Sequence, residues 1–74
     1  MKRMSRVRIA VAGAGLIGKR HVEEVDASPD AELASIVDPG PVGPELAEKF
    51  RMPLYQSLAE LFERDKPDGV ILAT

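Results

Sequence analysis

Residues 7–18 read Val-Arg-Ile-Ala-Val-Ala-Gly-Ala-Gly-Leu-Ile-Gly, an apolar run that passes directly into three glycines spaced Gly13-x-Gly15-x-x-Gly18. No other stretch constrains the fold as tightly. The glycine spacing alone arises often by chance, but here it stands where a buried-type strand must turn sharply into a segment of helical periodicity. Twenty residues beyond Gly18 a second apolar run, Leu33-Ala34-Ser35-Ile36-Val37, ends in Asp38. Strand, glycine turn, helix, strand and terminal acid are the parts of a dinucleotide-binding βαβ unit.

Each glycine has its own task in such a unit. Gly13 permits the tight turn out of the strand. Gly15 has no side chain, so a pyrophosphate can come close to the backbone, and Gly18 lets the helix pack against the strand. The backbone N–H groups of Leu16, Ile17 and Gly18 then point at the phosphates, helped by the helix dipole. Asp38 is placed to accept hydrogen bonds from the adenosine ribose hydroxyls. The plainer alternative is a ligand-free glycine turn with a solvated Asp38 in a loop.

The same residues also read Gly13-x-x-x-x-Gly18-Lys19, most of a phosphate-binding P-loop. That motif needs Ser or Thr next, to ligate magnesium, and Arg20 offers no acceptor for a cation. Ile36-Val37-Asp38 imitates the acid of such a site, but the missing hydroxyl weighs against it.

Apolar residues make up 45% and charged residues 30% of the 74, the proportions of a globular α/β unit and not of a disordered chain. A formal charge of −2 argues against a nucleic-acid partner. Lys2, Arg3, Arg6 and Arg8 crowd the first eight positions, yet no apolar h-region follows them before the glycine turn. No apolar run approaches the roughly 18 residues that span a membrane. The absence of cysteine removes disulfide and thiol chemistry. These features point to a cytoplasmic protein without a metal site.

Beyond the first strand, Leu16, Ile17, Arg20, His21, Val22 and Val25 follow helical spacing, and Ser28-Pro29-Asp30 closes the helix. Residues 39–44 form the one breaker-rich stretch, a loop with Pro44 in the first turn of the next helix, whose apolar face is Leu46, Ala47 and Phe50. Met52 to Tyr55, interrupted by Pro53, reads as a short edge strand. Ser57-Leu58-Ala59-Glu60 is a capping box, with Leu58, Leu61 and Phe62 spaced to pack beneath the third helix. Lys66-Pro67-Asp68-Gly69 then turns into a fourth strand, Val70 to Ala73.

Right-handed crossovers put these strands in the order 3-2-1-4, a parallel sheet that is the N-terminal half of a Rossmann dinucleotide-binding fold, α/β in class. The first two helices cover one face and the third the other. The ligand crevice opens between strands 1 and 4, with Gly13, Gly15 and Thr74 at its rim.

Val7 to His21, the strand ending at Asp38, Met52-Pro-Leu-Tyr55 and Lys66-Pro-Asp-Gly-Val-Ile-Leu-Ala-Thr74 resemble successive segments of the glucose-fructose oxidoreductase, inositol dehydrogenase and MocA (Gfo/Idh/MocA) oxidoreductases. The resemblance covers nearly the whole chain. It implies an NAD(P)-binding Rossmann domain with the glycine loop on the pyrophosphate, Asp38 on the adenosine ribose, and Ala73 and Thr74 beside the cofactor. It also implies that the family's catalytic Glu-Lys-Pro motif and its substrate domain lie outside residues 1–74. The chain is thus expected to be a truncated or proteolysed N-terminal portion of a dehydrogenase, inactive alone and holding no catalytic residue; an independently encoded short protein is the alternative.

Two function classes follow. One is the cofactor-binding portion of an oxidoreductase that moves hydride between NAD(P) and a sugar or polyol-like substrate. The other is a non-catalytic module that binds an adenine nucleotide or self-assembles, with an S-adenosylmethionine binder as a more distant third. NAD is favoured over NADP, because Asp38 repels a 2′-phosphate and residues 39–44 carry no Arg or Lys. His21 lies on the first helix, where packing or hydrogen bonding is its expected role. Glu45, Glu48, Lys49, Glu60, Glu63 and Arg64 read as solvated helix faces. The unbroken run Val70 to Ala73 reads as an internal strand that these residues alone leave as an edge, so self-association through it, as a dimer, is expected.

Overall fold

In a computed structural model, which describes residues 6–73, strands and helices alternate as the sequence reading expects. Strand β1 (Val7–Ala12) is followed by α1 (Leu16–Ala27), β2 (Ala31–Val37), α2 (Val42–Phe50), β3 (Leu54–Tyr55), α3 (Leu58–Arg64) and β4 (Gly69–Leu72). All pairings are parallel, and the sheet order is β3-β2-β1-β4. Parallel neighbours need a crossover, and each helix supplies one.

Two apolar layers flank the sheet. On one face, Val22 and Val25 of α1 and Leu46 and Ala47 of α2 pack against Val11, Leu33 and Ile36. On the other, Leu61 of α3 lies against Ala10, Ala12 and Val37. Leu33 and Ile36 are three apart, not two, and still share a layer. The β1–β2 register slips between Ile9 and Ala10, which oppose Leu33 and Ser35, so Ala34 is an extra residue on β2. This irregularity resets the alternation and sends Ile36 back to the face of Leu33.

On α1 the buried stripe is Gly18, Val22 and Val25, while Leu16 and Ile17 at its start are 87% and 63% exposed. Several local expectations change. Leu58 and Phe62 do not pack beneath α3; of the three apolar positions only Leu61 is buried, because a seven-residue helix meets the sheet along one short line. The helix α2 begins at Val42, inside the expected loop, with Pro44 still in its first turn. The edge strand β3 shrinks to Leu54–Tyr55, while the Pro53 carbonyl still accepts the Ile36 N–H at 3.0 Å. Ser57 caps α3 by accepting the Glu60 N–H at 3.1 Å, but the Glu60 carboxylate takes the N–H of Gln56, not of Ser57, at 2.6 Å. Glu60 is therefore a cap partner and not merely part of a solvated face.

At the N-terminal end of the sheet, Arg8 ties β1 to the segment before β4. Its guanidinium donates two hydrogen bonds to Asp65, at 3.0 and 2.8 Å, and its N–H donates to Asp68 at 2.8 Å. The fork-on-fork bond from Arg8 holds the Asp65 carboxyl below the usual carboxylate range, with the Lys66 N–H adding to it.

Candidate cofactor site

The opposite, C-terminal end of the sheet carries the glycine turn. Gly13 has φ +107°, which side chains rarely tolerate, and a Cβ there would lie 2.6 Å from the Ala73 carbonyl oxygen. Its N–H donates to the Val37 carbonyl at 2.7 Å, while Ala73 donates to Ala12 at 2.8 Å. The turn is thus wedged between the ends of β2 and β4. Gly18 backs onto it: a Cβ on Gly18 would overlap the Gly13 carbonyl oxygen and reach 3.7 Å from the Ala73 side chain. Gly13, Gly18 and Ala73 form one close-packed knot, so the helix starts immediately above the strand ends.

Gly15 behaves differently. A Cβ there would meet nothing within 4 Å, so its lack of a side chain serves no contact within the protein. It is the N-cap of α1, with no side-chain cap bond and no acidic residue in the first turn. The N–H groups of Leu16, Ile17 and Gly18 are the first three of the helix and have no acceptor within it. Open space over Gly15, three donors without an acceptor inside the helix and the positive end of a twelve-residue helix form a cradle for an anion. A pyrophosphate fits it sterically and electrostatically.

Asp38 sits one residue past β2, half-buried, at the same rim. Its backbone N–H donates to Tyr55 at 2.9 Å. One carboxylate oxygen accepts the Ala14 N–H at 2.8 Å and the other the Gly40 N–H at 2.9 Å. Gly43 lies against it, where a Cβ would be 3.1 Å from the Asp38 Cβ. Ala14, Gly40 and Gly43 also belong to this rim, beyond the residues that the sequence pattern singles out. The Gly40 and Gly43 spacing just after Asp38 is the signal that could have found two of them.

Of the expected site residues, Gly13, Gly15, Leu16, Ile17, Gly18, Asp38 and Ala73 converge on this rim, and Thr74 lies outside the described residues. Between α1 and α2, Lys19 and Lys49 line a groove of about 130 Å³ with Val42, Glu45 and Leu46. His21 stays on the flank of α1, 3.3 Å from Glu24. No cluster of potential metal ligands occurs among the described residues, and no helix there is long and apolar enough to cross a membrane.

A model of the oxidoreductase family with an NAD-binding Rossmann fold, GFO_IDH_MocA, matches residues 7–74. The rhizopine catabolism protein MocA of Rhizobium meliloti is 30% identical over 71 residues, which make up 96% of this chain and 22% of that protein. A myo-inositol dehydrogenase of Corynebacterium glutamicum ATCC 13032 superposes with a TM-score of 0.85 at 38% identity, over 95% of this chain and 21% of its own. GenD2 from gentamicin A biosynthesis, solved in complex with NAD, superposes with a TM-score of 0.86 at 32% identity, over 100% of this chain and 22% of its own. The chain thus spans about a fifth of the length of these relatives.

Proposed function

The chain belongs to the Gfo/Idh/MocA family of NAD-binding oxidoreductases, and on that premise we propose that residues 13–18 hold the pyrophosphate of NAD and Asp38 its adenosine ribose. The observation that carries this reading is the convergence on one rim of three unaccepted helix N–H groups, the open face of Gly15 and the Asp38 carboxylate. Ala73, and Thr74 after it, would flank the cofactor where β4 ends.

When bound, NAD supplies the hydride chemistry. The residues described here bind and orient: the helix N-terminus neutralises phosphate charge, Gly13 and Gly18 fix the turn, and Asp38 selects the ribose. Asp38 also disfavours a 2′-phosphate, which supports NAD over NADP. We extend the proposal to a cytoplasmic dehydrogenase acting on a sugar or polyol-like substrate, whose catalytic residues and substrate domain lie outside residues 1–74. The myo-inositol dehydrogenase likeness supports that substrate class.

Calorimetric titration with NAD and NADP tests the reading. NAD should bind more tightly, Asp38→Ser should narrow the difference, and Gly15→Val should abolish binding of both. Equal or tighter NADP binding, or indifference to Gly15, would overturn it.

For residues 1–74 taken by themselves, we also propose self-association through residues 70–73. Among the described residues β4 is bonded to β1 on one side only, and Leu72 is 65% exposed. A concentration-dependent dimer in light scattering supports it, and a monomer at high micromolar concentration refutes it.

A further inference from the structure

Ala14 is 1% exposed and stands between Gly13, with its positive φ, and the open Gly15. A buried N–H in that position needs an acceptor, and the bond it makes within the protein is to Asp38, at 2.8 Å. The acid is delivered from a firm base. Its N–H is bonded to Tyr55 of β3, its second oxygen takes the Gly40 N–H at 2.9 Å, and Gly43 packs on its Cβ. The sheet and α2 thus fix Asp38, and the glycine turn conforms to it.

We propose that Asp38 is a positioning residue for the glycine turn: by accepting the Ala14 N–H it holds residues 13–18 in their anion-binding shape before a cofactor arrives. The proposal rests on the reading of this rim as the NAD site and adds a second task for the same carboxylate. Each carboxylate oxygen has two lone pairs, so one N–H apiece leaves capacity for ribose hydroxyls. Asp38 would then act on affinity twice, once through the ribose and once through the preorganised pyrophosphate cradle. A substitution meant only to admit a 2′-phosphate would loosen the phosphate site at the same time. An acceptor-retaining Asn should do so less than Ala.

Two measurements separate these tasks. The first is amide hydrogen exchange at Ala14 in the cofactor-free protein, for the parent, Asp38→Asn and Asp38→Ala. The second is the affinity of each for ADP and for 2′,3′-dideoxy-ADP, which offers Asp38 no hydroxyl. The proposal predicts Ala14 exchange about tenfold faster in Asp38→Ala, with Asn intermediate. It also predicts weaker dideoxy-ADP binding by Asp38→Ala, in proportion to the lost population of the closed turn, although no ribose contact exists to lose. Unchanged Ala14 exchange, or equal dideoxy-ADP affinity in parent and Asp38→Ala, would overturn it. Failure of the parent to bind ADP at all would instead overturn the cofactor reading, and the exchange data would still decide whether Asp38 orders the turn.

Discussion

Gly18 rests directly on the backbone of Gly13, so closely that a Cβ on Gly18 would overlap the Gly13 carbonyl oxygen and lie 2.6 Å from its carbon. Glycine inside a helix ordinarily costs about 1 kcal/mol relative to alanine, so Gly18→Ala would stabilise a free-standing helix. Here the sign reverses, because backbone cannot yield as a flexible side chain would. Gly18→Ala is expected to destabilise the protein by about 3 kcal/mol, read as a lower midpoint in thermal or urea unfolding. Gly15→Ala, whose Cβ meets nothing within 4 Å, should leave that midpoint nearly unchanged while weakening NAD binding.

The Arg8–Asp65 pair gives a pH dependence. The Asp65 carboxyl titrates lower in the folded protein than in the unfolded chain, chiefly because it accepts the Arg8 hydrogen bonds. Its contribution is complete above the ordinary carboxylate range, near about pH 4, and disappears as pH falls through the lowered value. Arg8 is 40% exposed, so solvent screening keeps the contribution below about 1 kcal/mol. Unfolding midpoints measured from pH 7 down to pH 2 should fall less steeply for Asp65→Asn than for the parent.

Arg51 ends α2 with φ 57°, in the left-handed region that favours glycine. Its N–H bonds the Glu48 carbonyl at 3.2 Å and that of Met52 bonds Ala47 at 2.8 Å, the two bonds of a Schellman motif. Arg51→Gly should keep both and remove the Cβ penalty. A gain of about 0.5–1 kcal/mol is expected in denaturant unfolding.

Ser35 is fully buried in β2, and its hydroxyl has no hydrogen-bond partner among the described residues. A buried hydroxyl left unpaired is a cost that alanine removes with little change of shape. Ser35→Ala is expected to raise the unfolding midpoint or leave it unchanged; a loss above about 1 kcal/mol would reveal a hidden partner.

The strand–helix alternation, the sheet order and the seat of each helix were legible because parallel strands carry continuous apolar runs and right-handed crossovers leave few topologies. The glycine spacing carried the turn itself, because Gly13 and Gly18 answer to backbone geometry, which a sequence pattern encodes directly. Leu16 and Ile17 stand exposed at the rim, although their apolar spacing on α1 taken alone does not separate core from rim. Phe62 and Leu58 misled, since a short helix satisfies its spacing rule without enough sheet beneath it.

Contacts between distant residues were not legible. Arg8 and Asp65 are 57 positions apart, and nothing local to either announces the pair. The sequence pattern sets Asp38 against a ribose, and its bond to Ala14, 24 residues earlier, follows only once β1 and β2 lie side by side. Lys19 and Lys49 reach one groove because α1 and α2 share a face of the sheet.

Titrating the protein with NAD while following its backbone amide resonances tests whether the N-terminus of α1 holds the pyrophosphate. Saturable shifts are expected at Ala14, Gly15, Leu16, Ile17 and Gly18, with a second group at Asp38 and Gly40, and their loss in Gly15→Val. Shifts confined to residues away from this rim, or none at saturating NAD, would contradict it.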